Sequence, residues 1–430
     1  MRWIRVGEGG WEDSFSSLIK RGEKLIAEAV EAVRPVVEGV RHGGDKALLD
    51  FTERFDGVRL REEDLALGQE EMRRALSEID PALRGALEEI AERIRVYHEH
   101  QKERSWLWTG EDGRVFGELV VPLESVGIYV PGGGALYPSS VLMSAIPARV
   151  ASVKRIVVCS PPGRDGSLHP ALLAAAAIAG IHELYRVGGA QAVAAMALGT
   201  GRIRAVEKVV GPGGLYPTAA KKLLYGEVDI DMLAGPSEVA VVADGSARAS
   251  FVAADLLAQA EHDEAARAIL ITLDEDLGRE VEAELERQLK SLPRAPVARR
   301  AIEEGGAICL VRSIEEAASL TNRLAPEHLE LQLERPWEAL PLFKAAGAIF
   351  LGPWSPVAAG DYGAGPNHVL PTGGGARWGS PLGVYHFLKR TSLLALTREG
   401  LREVSRSAAL LAELEGLGGH VRALLLRESP

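Results

Sequence analysis

Six stretches in succession decide the fold: IVVCS (156–160), PALLAAAAIAGI (170–181), LYRVGG (184–189), AQAVAAMALG (190–199), KVVG (208–211) and PTAAKKLLYG (217–226). Short β-rich runs alternate with longer Ala- and Leu-rich runs, with Gly and Pro at the joints. The short runs suit strands buried on both faces, and the longer ones suit helices crossing between them. Such alternation predicts a parallel sheet with helices on its faces. A second series follows: VAVVAD (239–244), a helix from Phe251 to Glu264, AILITL (268–273), a polar helix near Glu280, AICLVR (307–312) and GAIFLG (347–352). The chain therefore reads as α/β with two Rossmann-like layers of parallel strands, separated near Gly235-Pro236.

Outward from this core the pattern changes. The first hundred residues read as helical: Asp80-Pro81 is an N-cap followed by proline, and Leu83, Leu87, Ile90 and Ile94 form one apolar stripe. Residues 353–383 are dense in Gly, Pro and Asn and too long for a connector, which marks a functional loop. The helical tail from Thr397 to Arg427 has no sheet of its own to cover and must dock elsewhere. The length of 430 residues agrees with more than one core, because single cores stop growing at roughly 250–300 residues.

Composition narrows the class. The chain is 47% apolar and 25% charged, ordinary for a folded globular protein. Its net charge of −11 argues against a nucleic-acid partner and favours a neutral or cationic ligand. The longest apolar stretch, 170–181, is too short for a membrane span, and the first residues lack the apolar segment of a signal peptide. Two cysteines, Cys159 and Cys309, sit in apolar runs with no histidine beside them. They read as small core residues, which suits a reducing cytoplasm and disfavours a thiol nucleophile.

Several motifs carry polar chemistry. Glycine turns at 131–134 (PGGG), 187–191 (VGGAQ) and 211–214 (GPGG) suit the approach of a pyrophosphate to a helix N-terminus, although any one could simply be a tight turn. In AQAEHD, Gln259 and His262 lie three apart on one helical face, able to share a metal or to form an ordinary solvated face. His98 and His100 point apart and read as surface residues. In APEHLEL, Glu327 and His328 form an acid/base pair only if the turn before the strand is irregular; otherwise successive side chains diverge. Within GDYGAGPNHVLPTGG (360–374), Asp361, Asn367 and His368 are the side chains able to hold the loop. In EGLGGH, Glu415 and His420 lie about 140° apart on a regular helix and meet one ligand only if the glycines break it.

Taken together, these segments resemble the histidinol dehydrogenase family. TERFDG (52–57), GIYVPGG (127–133), VGGAQA, IDMLAGPSE (230–238), LLAQAEHD (256–263), LAPEHLEL (324–331), GDYGAGPNHVLPTGG and EGLGGH occur in one order over nearly the whole chain. The resemblance implies a zinc-dependent oxidation of L-histidinol through L-histidinal to L-histidine with two NAD, the last steps of histidine biosynthesis. By similarity, Gln259, His262, Asp361 and His420 are the zinc ligands, and Glu327 and His328 the acid/base pair. Ser237 and Glu415 touch substrate together with Gln259, His262, His328, Asp361 and His420. Tyr129 and Gln191 touch NAD; at the third NAD position the family's usual Asn is replaced by Gly214, which removes a side-chain contact. The family organisation divides the chain into an N-terminal helical segment (1–21), a first domain with the metal and catalytic residues (22–124 and 239–380), an NAD-binding domain (125–238) and a helical dimerisation tail (381–430). A homodimer with intertwined ends, its metal site completed across the interface, is the implied assembly. Two other readings stay open: a relative that oxidises another small alcohol, and a non-catalytic nucleotide-binding protein favoured only by Gly214.

Overall fold

In the computed structural model, which describes residues 1–19, 23–132 and 136–428, the two strand–helix series form two six-stranded sheets. The first runs Arg2–Arg5, Ala307–Leu310, Arg267–Thr272, Glu238–Ala243, His328–Gln332, Ala348–Leu351, all parallel. The second runs Ala66–Leu67, Glu183–Arg186, Arg155–Ser160, Ser125–Tyr129, Lys208–Val210, Asp229–Ile230, parallel except for the first short strand. The central strands of both are buried almost without exception, as their near-continuous apolar runs require. Helix Pro138–Val150 is likewise buried over most of its surface, which explains why its sequence is apolar all round rather than striped.

Within each series the strand order is the same. Taking Ser125–Tyr129 or Glu238–Ala243 as the first strand of its series, the next two lie to one side and the last two to the other. This is the doubly wound order, with a switch point beside the first strand.

The division of the chain differs from that expected in three places. Residues 1–21 do not begin as helix: Arg2–Arg5 is an edge strand paired with Ala307–Leu310, followed by the helix Trp11–Ile19. Only Ile4 of that strand is buried, so four residues show no readable alternation. The helices of 22–124 go with the second sheet, not the first. Glu23–Asp56 packs on Gly189–Leu198 and Leu215–Leu224, Gln69–Glu78 on Pro170–Ile178, and Pro81–Glu99 on Pro138–Val150. A helical stripe says which face is buried but not which sheet buries it. Finally, 381–430 is not wholly helical: Leu388–Ala395 forms an antiparallel three-stranded sheet with Val115–Pro122 and Trp106–Thr109. The expected joint at 21–22 and Gly133 and Gly134 of PGGG lie outside the described residues.

Asp80 caps its helix as expected, accepting from the Ala82 and Leu83 N–H groups. His98 is a correction. It is fully buried, and its Nε2 accepts from Asn367 Nδ2 at 3.1 Å, so this histidine ties the helix Pro81–Glu99 to the glycine-rich loop. The tail proper is two helices, Arg398–Leu414 and Gly418–Glu428, packed chiefly on each other. Among the described residues no helix is long and apolar enough to cross a membrane.

Candidate active site

Two edges carry the expected residues. At the N-terminal edge of the first sheet, Glu238–Ala243 pairs with His328–Gln332 in the register Val239 to His328, so Glu238 and Glu327 lie across from each other at the mouth of the sheet. Helix Ile314–Leu324 stops at Ala325, which adopts a left-handed conformation (φ 50°, ψ 63°). The backbone is thus still irregular at Glu327, and the side chains of Glu327 and His328 reach the same site. Glu327 Oε2 lies 3.6 Å from His328 Nδ1 and accepts the Glu238 N–H at 2.9 Å. His328 Nδ1 also lies 3.2 Å from the Glu238 carbonyl oxygen, and Nε2 lies 3.3 Å from Asp361 Oδ1. Donation from Nδ1 to that carbonyl assigns the neutral ring its tautomer and leaves Nε2 as the basic nitrogen.

The electrostatics of this cluster follow from burial and proximity. Burial pushes the Glu327 carboxyl up to about 7 against the opposing charge of His328. Burial would depress His328, but Glu327 and Asp361 outweigh it and raise the imidazole to about 9. Burial acts to raise Asp361, yet the His328 hydrogen bond and the charges of His328, His368 and His262 hold it below the usual carboxylate range. Glu238, itself buried and pushed up by burial, is held by Arg267 at 3.0 Å. Both open otherwise apolar strands, EVAVVA and RAILIT. A charge at the mouth of such a strand was the available sign of a site residue, and the sequence reading passed over it.

Gln259 and His262 stand beside this cluster. The helix Ala249–Ala260 ends before His262, which occupies the following turn with its N–H on the Gln259 carbonyl at 3.2 Å. Gln259 is buried, whereas His262 stands at the solvent-accessible rim. The atoms crowded around the His262 ring lower its basicity, and Asp361 opposes that shift. Ser237 directly precedes the strand Glu238–Ala243. Asp361 rides on the helix Val357–Tyr362, and the loop beyond is fastened on both sides. His368 Nδ1 lies 2.9 Å from the Asp361 carbonyl, and Nε2 lies 3.3 Å from Ser140 Oγ. Asn367 Nδ2 donates to the Met143 carbonyl at 2.6 Å. Gly365 is required there: its φ is +112°, and a Cβ would come within 2.9 Å of the Arg93 carbonyl. Through Ser140 and Met143 this loop joins the first edge to the second half of the molecule.

The second edge is the C-terminal edge of the second sheet, at its switch point. Tyr129 ends the strand Ser125–Tyr129, and its hydroxyl accepts the Gly189 N–H at 3.2 Å. Gln191, in the first turn of Gly189–Leu198, donates to Asp56 Oδ2 at 3.4 Å, while its own Oε1 is buried without a partner. Burial pushes Asp56 up to about 6. The GPGG turn is locked by a pair absent from the expected set. Lys221 Nζ donates to the Gly211 carbonyl at 2.6 Å and to Asp231 Oδ1 at 2.7 Å, and Asp231 Oδ2 accepts the Gly211 N–H at 2.8 Å. Gly211 has φ +106°, and a Cβ there would lie 2.3 Å from the Tyr129 carbonyl, so only glycine fits. Gly214 caps the helix Leu215–Leu224 without a side chain.

The structure thus gathers Ser237, Gln259, His262, Glu327, His328 and Asp361 at one edge, and Tyr129, Gln191 and Gly214 at the other. It does not bring Glu415 and His420 to either. Glu415 caps the first tail helix, Gly416 breaks the chain with φ +72°, and His420 sits in the next helix; both side chains are exposed. Among the described residues no three His, Cys, Asp or Glu side chains form a metal-binding group. The expected set counts an amide oxygen from Gln259 and an imidazole from the tail, so two such side chains remain at this edge. Imidazole nitrogen with carboxylate and amide oxygen, and no thiolate, is a donor set that fits zinc. The orphaned Gln191 Oε1 and the helix N-terminus behind Gly214 fit a dinucleotide. Both cysteines are free and buried, and burial pushes Cys309 up to about 12 and Cys159 higher still.

Comparison with known proteins identifies the family. The family model described as histidinol dehydrogenase matches residues 19–428. The histidinol dehydrogenase of Syntrophotalea carbinolica is 48% identical over 99% of both chains. That of Moorella thermoacetica is 51% identical over 95% of this chain and 96% of its own. The crystal structure of histidinol dehydrogenase from Elizabethkingia anophelis superposes with a TM-score of 0.92 at 36% identity, covering 99% of this chain and 98% of that one. The chain belongs to the histidinol dehydrogenase family and is an NAD-dependent oxidoreductase.

Proposed function

We propose that the chain oxidises L-histidinol to L-histidinal and then to L-histidine, the last steps of histidine biosynthesis, at a site built from both edges. The observation that carries this reading is the buried Glu327–His328 pair: two titrating groups beside a zinc-type donor set, with no thiol nearby. Gln259, His262 and Asp361 would hold zinc together with His420 of a second copy of the chain. Zinc, when bound, supplies Lewis-acid positioning of the substrate's nitrogen donors. Tyr129, Gln191 and the Gly211–Gly214 turn would hold NAD, which when bound would supply the hydride acceptor for both oxidations.

The chain's own residues move the protons. Neutral His328 takes the hydroxyl proton on Nε2 as hydride leaves the alcohol carbon, and Asp361 beside it stabilises the imidazolium formed. With no thiol to form a covalent adduct, the aldehyde carbon must gain its oxygen from water. Glu327, ionised, removes a proton from that water, and the resulting hydrate gives up the second hydride. Ser237 and Glu415 bind the substrate's polar ends, and the Glu415 carboxylate suits its ammonium.

Tail exchange in a homodimer supports the ligand count. Leu410, Leu411, Leu414, Leu425 and Leu426 are exposed on the two tail helices and Leu417 in the turn between them, an apolar surface that a second copy would cover. The two free cysteines suit a cytoplasmic setting. The test is NADH formation from L-histidinol before and after chelation. Activity should vanish with the chelator and return with zinc; unchanged activity in stripped protein would refute the metal's role.

A further inference from the structure

The strand His328–Gln332 carries polar side chains at alternate positions, His328, Glu330 and Gln332, and so on one face. His328 works at the edge, while Glu330 lies deeper with no exposed surface. Glu330 Oε1 accepts the Val357 N–H at 2.8 Å, and Oε2 accepts from Gln332 Nε2 at 3.1 Å. Val357 opens the helix Val357–Tyr362, whose N-cap, Pro356, offers no side-chain acceptor. Glu330 fills that place from another element. One turn later the same helix carries Asp361.

The remaining neighbour of Glu330 is another carboxyl. Asp255, on the helix Ala249–Ala260 that packs against Val357–Tyr362, lies within side-chain reach of it, and two carboxyls that close favour a shared proton. Glu330 already accepts two N–H groups and is the ionised member; Asp255 is the donor. Burial, with the Glu330 charge beside it, pushes Asp255 up to about 8. One helical turn beyond Asp255, on the same face, lies Gln259.

A carboxyl pair, one member buried and the other half-buried, is a poor way to hold two helices together, since apolar side chains of similar size do so as well or better. An apolar contact cannot, however, fasten the Val357 N–H and so fix the rotation of the helix bearing Asp361. We propose that Asp255 and Glu330 are positioning residues for the metal site: joined carboxyl to carboxyl, they set the spacing of Gln259 and Asp361 without touching ion, substrate or cofactor. This rests on the reading that Gln259 and Asp361 bind the same zinc.

The test is the zinc dissociation constant of the full chain, measured by chelator competition in wild type, Asp255→Leu and Asp255→Asn. Asp255→Leu keeps the branched shape but loses the donor; zinc affinity should fall about 10–100-fold, as for other outer partners of metal ligands, while the NAD dissociation constant stays unchanged. Asp255→Asn, whose amide still donates to Glu330, should restore wild-type zinc affinity. Wild-type zinc affinity in a folded Asp255→Leu chain, or a loss that Asp255→Asn does not restore, would overturn the proposal. Should wild type itself bind no zinc, the site reading fails first and this inference with it.

Discussion

The two sheets share one strand order yet offer opposite edges to the chemistry. In the proposed function the second sheet works at its C-terminal edge, where Tyr129 and the Gly211–Gly214 turn flank the switch point, as open α/β sheets ordinarily do. The first sheet works, in the same proposal, at its N-terminal edge, where Ser237, Glu327 and His328 sit just before or at the start of their strands. Each edge is held by a buried ion pair: Lys221 with Asp231 under the glycine turn, and Arg267 with Glu238 under the imidazole. Topology alone therefore points to the cofactor edge. The edge proposed as catalytic is marked only by its buried titrating groups, whose perturbed ionisation is what makes a strand mouth an acid–base candidate.

If the labour is divided in this way, damage to one edge should spare the other. The largest expected effect is at His328. His328→Ala should lower histidinol turnover by roughly 10²–10⁴-fold, the range for a lost general base, with the NAD dissociation constant unchanged. Glu327→Gln should impair histidinal oxidation far more than histidinal reduction by NADH, because only the oxidation needs an activated water. Equal losses in both directions would remove Glu327 from that role.

The pH dependence separates the edges next. His328, raised to about 9, must be neutral to accept a proton, so the oxidation rate should climb with pH from 7, about tenfold per unit in its steep part, pass half-maximum near 9 and level off above it. Below about 7 Glu327 also protonates, and aldehyde oxidation should fall more steeply than alcohol oxidation. NAD binding measured by calorimetry should stay flat over the same range, since Asp56, raised to about 6, is already ionised there. A flat rate profile would contradict the assignment of His328.

A mixing experiment sharpens the role of the tail, which belongs to neither edge in its own chain. His420→Ala and His262→Ala chains, each inactive, should regain about a quarter of wild-type activity after random subunit exchange, because half of the dimers then hold one intact site of two. Continued inactivity after verified exchange would place His420 within its own chain's site.

The smallest effect concerns Gly214. A Cβ there meets nothing within 4 Å, and φ is −64°, so asparagine fits. Gly214→Asn should tighten NAD binding by about 0.5–1.5 kcal/mol, one hydrogen bond. If binding is unchanged while the melting temperature rises, the new side chain caps its own helix instead.

Much of this was legible in the chain. Apolar runs bounded by Gly and Pro placed both sheets, and the motifs named the residues that the structure sets along two sheet edges, but not Glu415 and His420, which it leaves exposed on the tail. Local pattern does not name a partner, however. The stripe at Leu87 and Ile94 predicted a buried helix face, but not that the second sheet's helices would cover it. His98 read as surface because its partners, Asn367 and the packing of the loop, lie far along the chain. Lys221 with Asp231, Arg267 with Glu238 and Asp255 with Glu330 were missed for the same reason: each pair closes only once strands and helices have been set side by side.

The most direct test of two edges serving one site is the ratio of NADH formed to L-histidine formed during turnover of L-histidinol, with free histidinal trapped and counted. Two NADH per histidine with no trapped aldehyde is the expected result. One NADH per alcohol consumed, with histidinal accumulating in the trap, would contradict it.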